Sequence, residues 1–264
     1  MPDPQPTLLA LDFDGVICDG LIEYFQTAWK AYCHIWAPVD ETPPDGLAEQ
    51  FYRLRPVVES GWEMPLLLRS ILLGVPESEI LANWGTIALQ HAQETTLTST
   101  DLAAKVDQIR DEWIAADLTH WLAQHRFYPG VLDRLRTTLT SSVCPFIIST
   151  KEGRFVRQLL QRQQVEMPES QIFGKEVRQP KAQTLRDLIY QFSKDTENPV
   201  EVWFIEDRLK TLQSIKTQPD LDTVKLFLAD WGYNTLSDRE MAQQDDRIYL
   251  LSLIAFSQAF SSWL

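Results

Sequence analysis

The sequence predicts an α/β fold, a doubly wound parallel sheet that is interrupted after its first strand by an all-helical insertion. Short apolar runs alternate with helical patterns in the C-terminal half, and one more apolar run lies near the N-terminus. The region between them has helical periodicity and few β-branched runs. Because strands that alternate with helices favour parallel pairing, we assign residues 1–18 and 126–264 to the sheet domain and 19–125 to the insertion.

The N-terminal part is predicted to form one strand followed by helices. The apolar run Leu8–Leu11 predicts a buried strand, which ends at Asp12 and Asp14. Residues 16–20 are predicted to be a tight connection. Beyond it, apolar residues recur at helical spacing between breaks marked by proline and acidic residues. Helices are predicted over 21–36, 47–53, 64–73, 77–91 and 100–124.

The C-terminal part is predicted to alternate between strands and helices. Strands are predicted at 143–148, 172–173, 200–205 and 223–229. Helices are predicted at 131–139, 153–164, 181–192 and 209–216, with a final helix closing the chain. The apolar segment 249–256 is too short and interrupted to span a bilayer, so we interpret it as a helix that packs on the core.

Composition and charge narrow the possible partners. The net charge is −13 and the isoelectric point is about 4.7, which argues against binding to nucleic acids or anionic membranes. A small anionic substrate held by a few local cations is compatible with this charge. The three cysteines show neither metal-ligand spacing nor a disulfide framework, and the N-terminus lacks a secretory pattern. We therefore expect a cytoplasmic protein with free thiols, and we leave its oligomeric state open.

Polar side chains follow three of the predicted strands. In a parallel sheet these strand ends lie at one edge, where ligands bind, and Lys181 opens a helix on the same side. Two carboxylates one residue apart repel each other unless a cation or a shared proton relieves them. Carboxylates, hydroxyls and a lysine together suit phosphoryl transfer assisted by Mg²⁺. The strand-end residues are Asp12 and Asp14, Ser149 and Thr150, and Glu206 and Asp207.

Four motifs in order resemble those of the haloacid dehalogenase superfamily. The stretch Asp-Phe-Asp-Gly-Val at 12–16 resembles the first motif, Ile-Ile-Ser-Thr at 147–150 the second, Lys181 the third, and Phe-Ile-Glu-Asp at 204–207 the acidic fourth. Tyr-Pro-Gly-Val at 128–131 resembles the stretch where the chain returns from a cap inserted after the first strand. The resemblance implies a Rossmann-like core, a helical C1-type cap and a phosphatase-type hydrolase.

The resemblance also implies roles for the acidic residues. Asp12 would be the nucleophile, and Asp14 would protonate the leaving alcohol and then activate water. Asp12, the backbone carbonyl of Asp14 and Asp207 would hold Mg²⁺, with Glu206 as a further acid near the metal. The fourth motif of the family often reads Gly-Asp with another acid four or five residues later. Here 211–212 are Thr and Leu, so the double-acid form applies, and which acid binds the metal directly stays open.

The same resemblance assigns the phosphate-binding groups. Ser149 would hydrogen-bond a phosphoryl oxygen, with Thr150 as a competitor for this role and as a substrate-binding candidate. Lys181 would neutralise the nucleophile and the phosphate, and Lys175 is its rival. Ala182 follows the lysine where the family frequently has proline. Each of these side chains also has an ordinary structural interpretation, as a helix cap or a solvated lysine.

The insertion contains the candidates for substrate specificity. Residues 53–63 join two predicted helices and mix cations with an aromatic side chain. Arg55 could grip an anionic group and Trp62 could stack on a ring. The alternative is a set of surface salt bridges beside a packed tryptophan.

We therefore predict a Mg²⁺-dependent phosphatase that hydrolyses a small phosphorylated metabolite through an aspartyl-phosphate. Asp14 separates this activity from halide displacement and phosphonate hydrolysis, because the resembling enzymes of those two classes lack an aspartate there. A sugar-phosphate phosphomutase keeps this aspartate and is the alternative enzyme. A catalytically silent binding or assembly protein is the alternative from another class.

Overall fold

The computed structural model describes residues 4–194 and 199–264. The chain forms two compact units. The first unit comprises the residues up to Asp19 together with Arg126–Leu264, and the second comprises Gly20–His125. Within the described ranges, no helix is both long enough and apolar enough to cross a membrane.

The first unit contains all eight strands of the described residues. Six of them form one parallel sheet in the order β5-β4-β1-β6-β7-β8, so the predicted α/β fold class is confirmed. The strands are β1 (Leu8–Leu11), β2 (Cys18–Asp19), β3 (Arg126–Phe127), β4 (Cys144–Ile148), β5 (Ile172–Phe173), β6 (Val202–Glu206), β7 (Lys225–Ala229) and β8 (Ile248–Leu251).

The second unit consists of helices. A fully buried carboxylate, Glu23, accepts hydrogen bonds from Arg110 Nε at 2.8 Å, Thr27 Oγ1 at 2.8 Å and Trp121 Nε1 at 3.2 Å. This network ties the first helix of the unit to the last. The helices are α1 (Leu21–Trp36), α2 (Leu47–Leu54), α3 (Met64–Leu72), α4 (Glu77–Glu94) and α5 (Ser99–Leu122).

Helices of the first unit pack against the sheet and bury its apolar side chains. The core on one side includes Leu8, Phe146, Phe204 and Leu226, each from a different neighbouring strand. Since β1 is buried along its whole length between β4 and β6, it lies at the centre of the sheet. The helices of this unit are α6 (Val131–Leu139), α7 (Gly153–Arg162), α8 (Lys181–Ser193), α9 (Leu209–Lys216), α10 (Leu236–Gln243) and α11 (Leu253–Phe256).

Two local predictions were wrong. Residues 16–20 are not only a tight connection, because Cys18 and Asp19 form β2, which pairs antiparallel with β3. Segment 249–256 is not one helix, because β8 occupies its first part and pairs parallel with β7, and only Leu253–Phe256 is helical. A short apolar run has the same appearance in a buried strand and in a buried helix, so periodicity alone misassigned this segment.

Candidate active site

The carboxyl ends of three adjacent strands form the candidate site in the first unit. Asp12 follows β1, Ser149 follows β4 and Glu206 ends β6. The Asp12 backbone N–H donates to the carbonyl oxygen of Ile205 at 2.9 Å, so the pairing with β6 continues past the last residue of β1. Because these strands are parallel, the sheet itself brings the three side chains to one edge.

Three buried carboxylates form an acidic cluster at this edge. Asp12, Glu206 and Asp207 each offer one oxygen, and these oxygens lie within 4.8 Å of one another. Lys181, the first residue of α8, bridges two of them. Its Nζ lies 2.9 Å from Asp12 Oδ2 and 2.7 Å from Glu206 Oε2. The structure thus brings together the predicted first, third and fourth motifs.

Burial and like charge perturb the acids of this cluster. Burial raises the pKa of Asp12 to about 7; Lys181 opposes this shift, while Glu206 and Asp14 add to it. Burial also raises the pKa values of Glu206 and Asp207. Although burial alone would lower the pKa of Lys181, the charges of Asp12 and Glu206 raise it, so this lysine stays protonated. Burial therefore disfavours ionisation of all three acids, and Lys181 opposes this effect at Asp12 and Glu206.

The two acids that end β6 have unequal surroundings. Glu206 Oε1 accepts the backbone N–H groups of Asp207 at 3.2 Å and Arg208 at 3.0 Å, while its Oε2 contacts Lys181. Both oxygens of Glu206 therefore already have partners. Asp207 Oδ2 accepts the backbone N–H of Tyr233 at 2.8 Å, and burial raises the pKa of Asp207 while the charge of Arg208 opposes this shift. Lys181 therefore contacts Glu206 but is not in salt-bridge contact with Asp207, and which of these two acids binds a metal directly stays a prediction.

Two glycines allow the backbone to approach Asp207 closely. Gly15 has φ +84°, and a Cβ atom there would lie 2.1 Å from Asp207 Oδ2. A Cβ atom at Gly232 would lie 2.3 Å from Asp207 Cβ and 2.6 Å from the Gly15 carbonyl oxygen. The loop after β1, the end of β6 and the loop after β7 are therefore in direct contact around this carboxylate.

Asp14 lies outside the acidic cluster and contacts a cation that sequence reasoning missed. Its Oδ1 lies 3.3 Å from Lys151 Nζ, and both side chains are largely buried. Lys151 comes two residues after Ser149 at the same strand end, and this position was the signal that could have identified it. The predicted metal contact of Asp14 involves its backbone carbonyl and stays a prediction.

The remaining candidates of the first unit differ in exposure. Ser149 is buried, and its Oγ accepts the backbone N–H of Lys151 at 3.1 Å, whereas Thr150 is exposed. Lys175 is exposed and its backbone N–H donates to the Lys151 carbonyl at 2.9 Å. Lys181, and not its rival Lys175, is the lysine that contacts Asp12.

The two specificity candidates lie in the second unit. Arg55 Nη1 donates to the carbonyl oxygen of Val58 at 3.0 Å, and the guanidinium lies 5.0 Å from the ring centre of Tyr24. The side chain of Trp62 is half-buried in the middle of a short 3₁₀ turn, Gly61–Glu63. Both contacts of Arg55 are with residues of the second unit. The substrate-binding role of Arg55 and Trp62 stays a prediction.

The donor set of the cluster fits a hard divalent cation. All three side chains offer carboxylate oxygens, which Mg²⁺ and Ca²⁺ prefer, and no sulfur or imidazole ligand lies among them. Three carboxylates with raised pKa values are also the arrangement that a bound cation stabilises. The residues present are therefore compatible with a metal site that includes Asp12 and Asp207.

Comparison with solved structures identifies the fold. A haloacid dehalogenase-like family hydrolase from Streptococcus pneumoniae superposes with a TM-score of 0.53 at 16% identity, covering 96% of this chain and 99% of that chain. The chain has the haloacid dehalogenase-like fold. A predicted phosphatase from Clostridium acetobutylicum gives a TM-score of 0.57 at 10% identity, with coverages of 96% and 97%. A predicted phosphoglycolate phosphatase from Haemophilus somnus gives 0.54 at 15% identity, with 88% of each chain covered.

The haloacid dehalogenase-like fold was the one that the four sequence motifs implied, and this prediction is confirmed. No protein-family model matches the chain, and neither does any curated protein sequence. Because sequence identity to the solved structures is low, the likeness establishes the fold, and the activity has to be argued from the site residues.

Proposed function

We propose that the protein is a Mg²⁺-dependent phosphatase that hydrolyses a small phosphomonoester through an aspartyl-phosphate. The observation that carries this proposal is the position of Asp12. Its carboxylate contacts Lys181 at 2.9 Å and lies within the acidic cluster, while Asp14 lies two residues later, outside that cluster. A nucleophile, a cation that neutralises charge and a separate acid are the groups that this reaction requires.

The reaction begins with the attack of an Asp12 carboxylate oxygen on phosphorus. The bond from phosphorus to the alcohol oxygen breaks, and Asp14 donates a proton to that oxygen. Asp14 then accepts a proton from a water molecule, whose oxygen attacks phosphorus and releases inorganic phosphate with regeneration of Asp12. When bound through Asp12 and Asp207, Mg²⁺ supplies positive charge that keeps the nucleophile ionised and offsets the charge on the phosphoryl group.

Several donors support the phosphoryl group in this proposal. Lys181 stays protonated beside Asp12, so its charge is available to a phosphoryl oxygen. The Ser149 hydroxyl can donate to a second oxygen while it accepts the Lys151 N–H, because a hydroxyl does both. Thr150, Arg55 and Trp62 are proposed to contact the rest of the substrate, a small phosphorylated metabolite.

A phosphomonoester panel with Mg²⁺ tests the proposal. We expect the wild-type chain to release phosphate from p-nitrophenyl phosphate and from at least one of phosphoglycolate and a set of sugar phosphates. Asp12→Asn removes the nucleophile and is expected to lower kcat by at least about a thousandfold. Asp133→Asn is the matched control, since this aspartate is exposed on α6 and its loss leaves the site intact.

The same panel separates the alternatives. A silent binding or assembly protein would show no turnover in either the wild type or the Asp12 variant, which would refute the enzyme proposal. A phosphomutase would transfer the phosphoryl group from Asp12 to a sugar phosphate faster than to water. Decay of the aspartyl-phosphate is therefore measured with and without an added sugar phosphate, and we expect water to be the faster acceptor.

A further inference from the structure

The backbone of Tyr233, in the loop after β7, binds the carboxylate of Asp207, which we propose as a metal ligand. The Tyr233 N–H donates to Asp207 Oδ2 at 2.8 Å, and Asp207 is 1% exposed. Asn234 holds the backbone of the same aspartate, because its Nδ2 donates to the Asp207 carbonyl at 3.0 Å and to the Ala229 carbonyl at 2.7 Å. The orientation of Asp207 therefore depends on where the loop at 231–234 lies.

The side chain of Tyr233 connects this loop to a second place in the first unit. Its hydroxyl donates to Asp19 Oδ1 at 3.0 Å, and the tyrosine is 5% exposed. Tyr128 also makes a side-chain hydrogen bond to Tyr233. Asp19 pairs with Arg126 in the β2–β3 ribbon, where the chain leaves the first unit and returns to it. One residue thus bonds to the proposed metal ligand through its backbone and to this ribbon through its hydroxyl.

Close packing around this residue leaves little room for movement. The Tyr233 ring lies against Gly15, since a Cβ atom at Gly15 would lie 3.1 Å from Tyr233 Cδ2. The indole of Trp231 donates to the Val16 carbonyl at 3.1 Å, which is a second link between the two loops. A shift of the Tyr233 backbone would therefore move Asp207 relative to the loop that carries Asp14.

We propose that Tyr233 is a positioning residue for the cation site, and that its hydroxyl bond to Asp19 fixes the loop whose N–H orients Asp207. This inference rests on the metal site of the proposed function, though not on turnover. Partners outside the metal-ligand shell that fix the orientation of a ligand commonly change metal affinity by about 10- to 100-fold when they are removed. Tyr233 lies outside the four sequence motifs.

Binding of Mn²⁺ to the full-length chain without substrate tests the inference. The free ion is measured by electron paramagnetic resonance, with Asp207→Asn to identify the site. Tyr233→Phe removes the hydroxyl and keeps the backbone N–H, and we expect its Mn²⁺ Kd to rise about tenfold. Tyr190→Phe, at an exposed tyrosine of α8, is the matched control and is expected to leave the Kd unchanged. An unchanged Kd in Tyr233→Phe, or a wild type that binds no Mn²⁺ at the Asp207 site, would overturn the inference.

A second variant removes the acceptor of the hydrogen bond between the Tyr233 hydroxyl and Asp19. Asp19→Ala is expected to weaken Mn²⁺ binding in the same direction, and Tyr233→Phe is expected to add little in the Asp19→Ala background. Fully additive effects would show that Tyr233 does not act through Asp19. These results are distinct from those for the proposed function: a chain that binds Mn²⁺ with this dependence but hydrolyses no phosphomonoester supports the inference and refutes the phosphatase.

Discussion

Replacement of Lys181 by methionine tests the electrostatics of the acidic cluster most directly. The ammonium group contacts Asp12 and Glu206, and all three side chains are largely buried. Methionine keeps much of the apolar chain and removes the charge. Removing one partner of a buried ion pair typically costs about 3–5 kcal/mol, because the remaining charge is left buried and uncompensated. We expect a loss of this size in the free energy of unfolding at pH 8, measured by urea denaturation with a chelator present.

The effect of Lys181→Met is expected to depend on pH in a defined direction. Asp12 has a pKa of about 7 in the folded chain against an ordinary value of 3.8, so the folded chain binds more protons than the unfolded chain between these values. The contribution of Asp12 to stability therefore falls as pH rises through this range. Without the lysine, the pKa values of Asp12 and Glu206 rise further, and their protonation at low pH relieves the repulsion. The difference between wild type and variant should be smallest at pH 5 and largest at pH 8.

The control for this experiment is Lys175→Met. Lys175 is exposed and lies outside the acidic cluster, so its replacement is expected to change stability by no more than about 0.5 kcal/mol. Two results would contradict this prediction: Lys181→Met as stable as the wild type at pH 8, or a loss in the free energy of unfolding that is no smaller at pH 5. Either result would show that the charge of Lys181 does not stabilise the acidic cluster.

Two further replacements test packing and a second buried ion pair. Gly15→Ala and Gly46→Ala both place a side chain at positive φ, which costs about 1–2 kcal/mol of strain in each variant. Only Gly15→Ala places its Cβ against Asp207, so we expect Mn²⁺ binding to be lost in this variant and kept in Gly46→Ala. Equal Mn²⁺ binding in the two variants would contradict the geometry. Arg110→Met leaves the fully buried Glu23 without its cation. We expect it to lower the free energy of unfolding by about 3–5 kcal/mol, measured by urea denaturation at pH 7. A loss below about 1 kcal/mol would show that the remaining hydrogen bonds are enough to stabilise the buried carboxylate.

The sequence was sufficient for the fold class because its signals were local and repeated. Each apolar run with a polar end became a strand of the parallel sheet, and α1, α6 and α9 begin and end at the predicted residues. The error at β8 arose because this segment becomes a strand through its pairing with β7, which is a tertiary contact. Ile248 and Leu251 are buried and Tyr249 is exposed, a pattern too short to distinguish a strand from a helix.

Parts of the candidate site depend on contacts that residue type cannot reveal. Asp12, Glu206 and Lys181 could be placed together because each lies at a strand end or helix start on one edge of the sheet. Lys151 was missed because a lysine after a strand is most often solvated, and only the fold brings its Nζ to Asp14. Tyr233 was missed for another reason, since its contact with Asp207 uses a backbone N–H that every residue except proline has.

The charges at the strand ends differ between the acidic cluster and Asp14. In the acidic cluster, three carboxylates face the single ammonium of Lys181, so two negative charges are left over when all three acids are ionised. In the proposed function a divalent cation would balance them, and burial together with the neighbouring acids Glu206 and Asp14 raises the pKa of Asp12 to about 7. Asp14 lies outside that cluster, with its Oδ1 3.3 Å from Lys151 Nζ. In the proposed mechanism this separation gives the two aspartates different roles: Asp12 attacks phosphorus, while Asp14 exchanges a proton with the leaving group and with water.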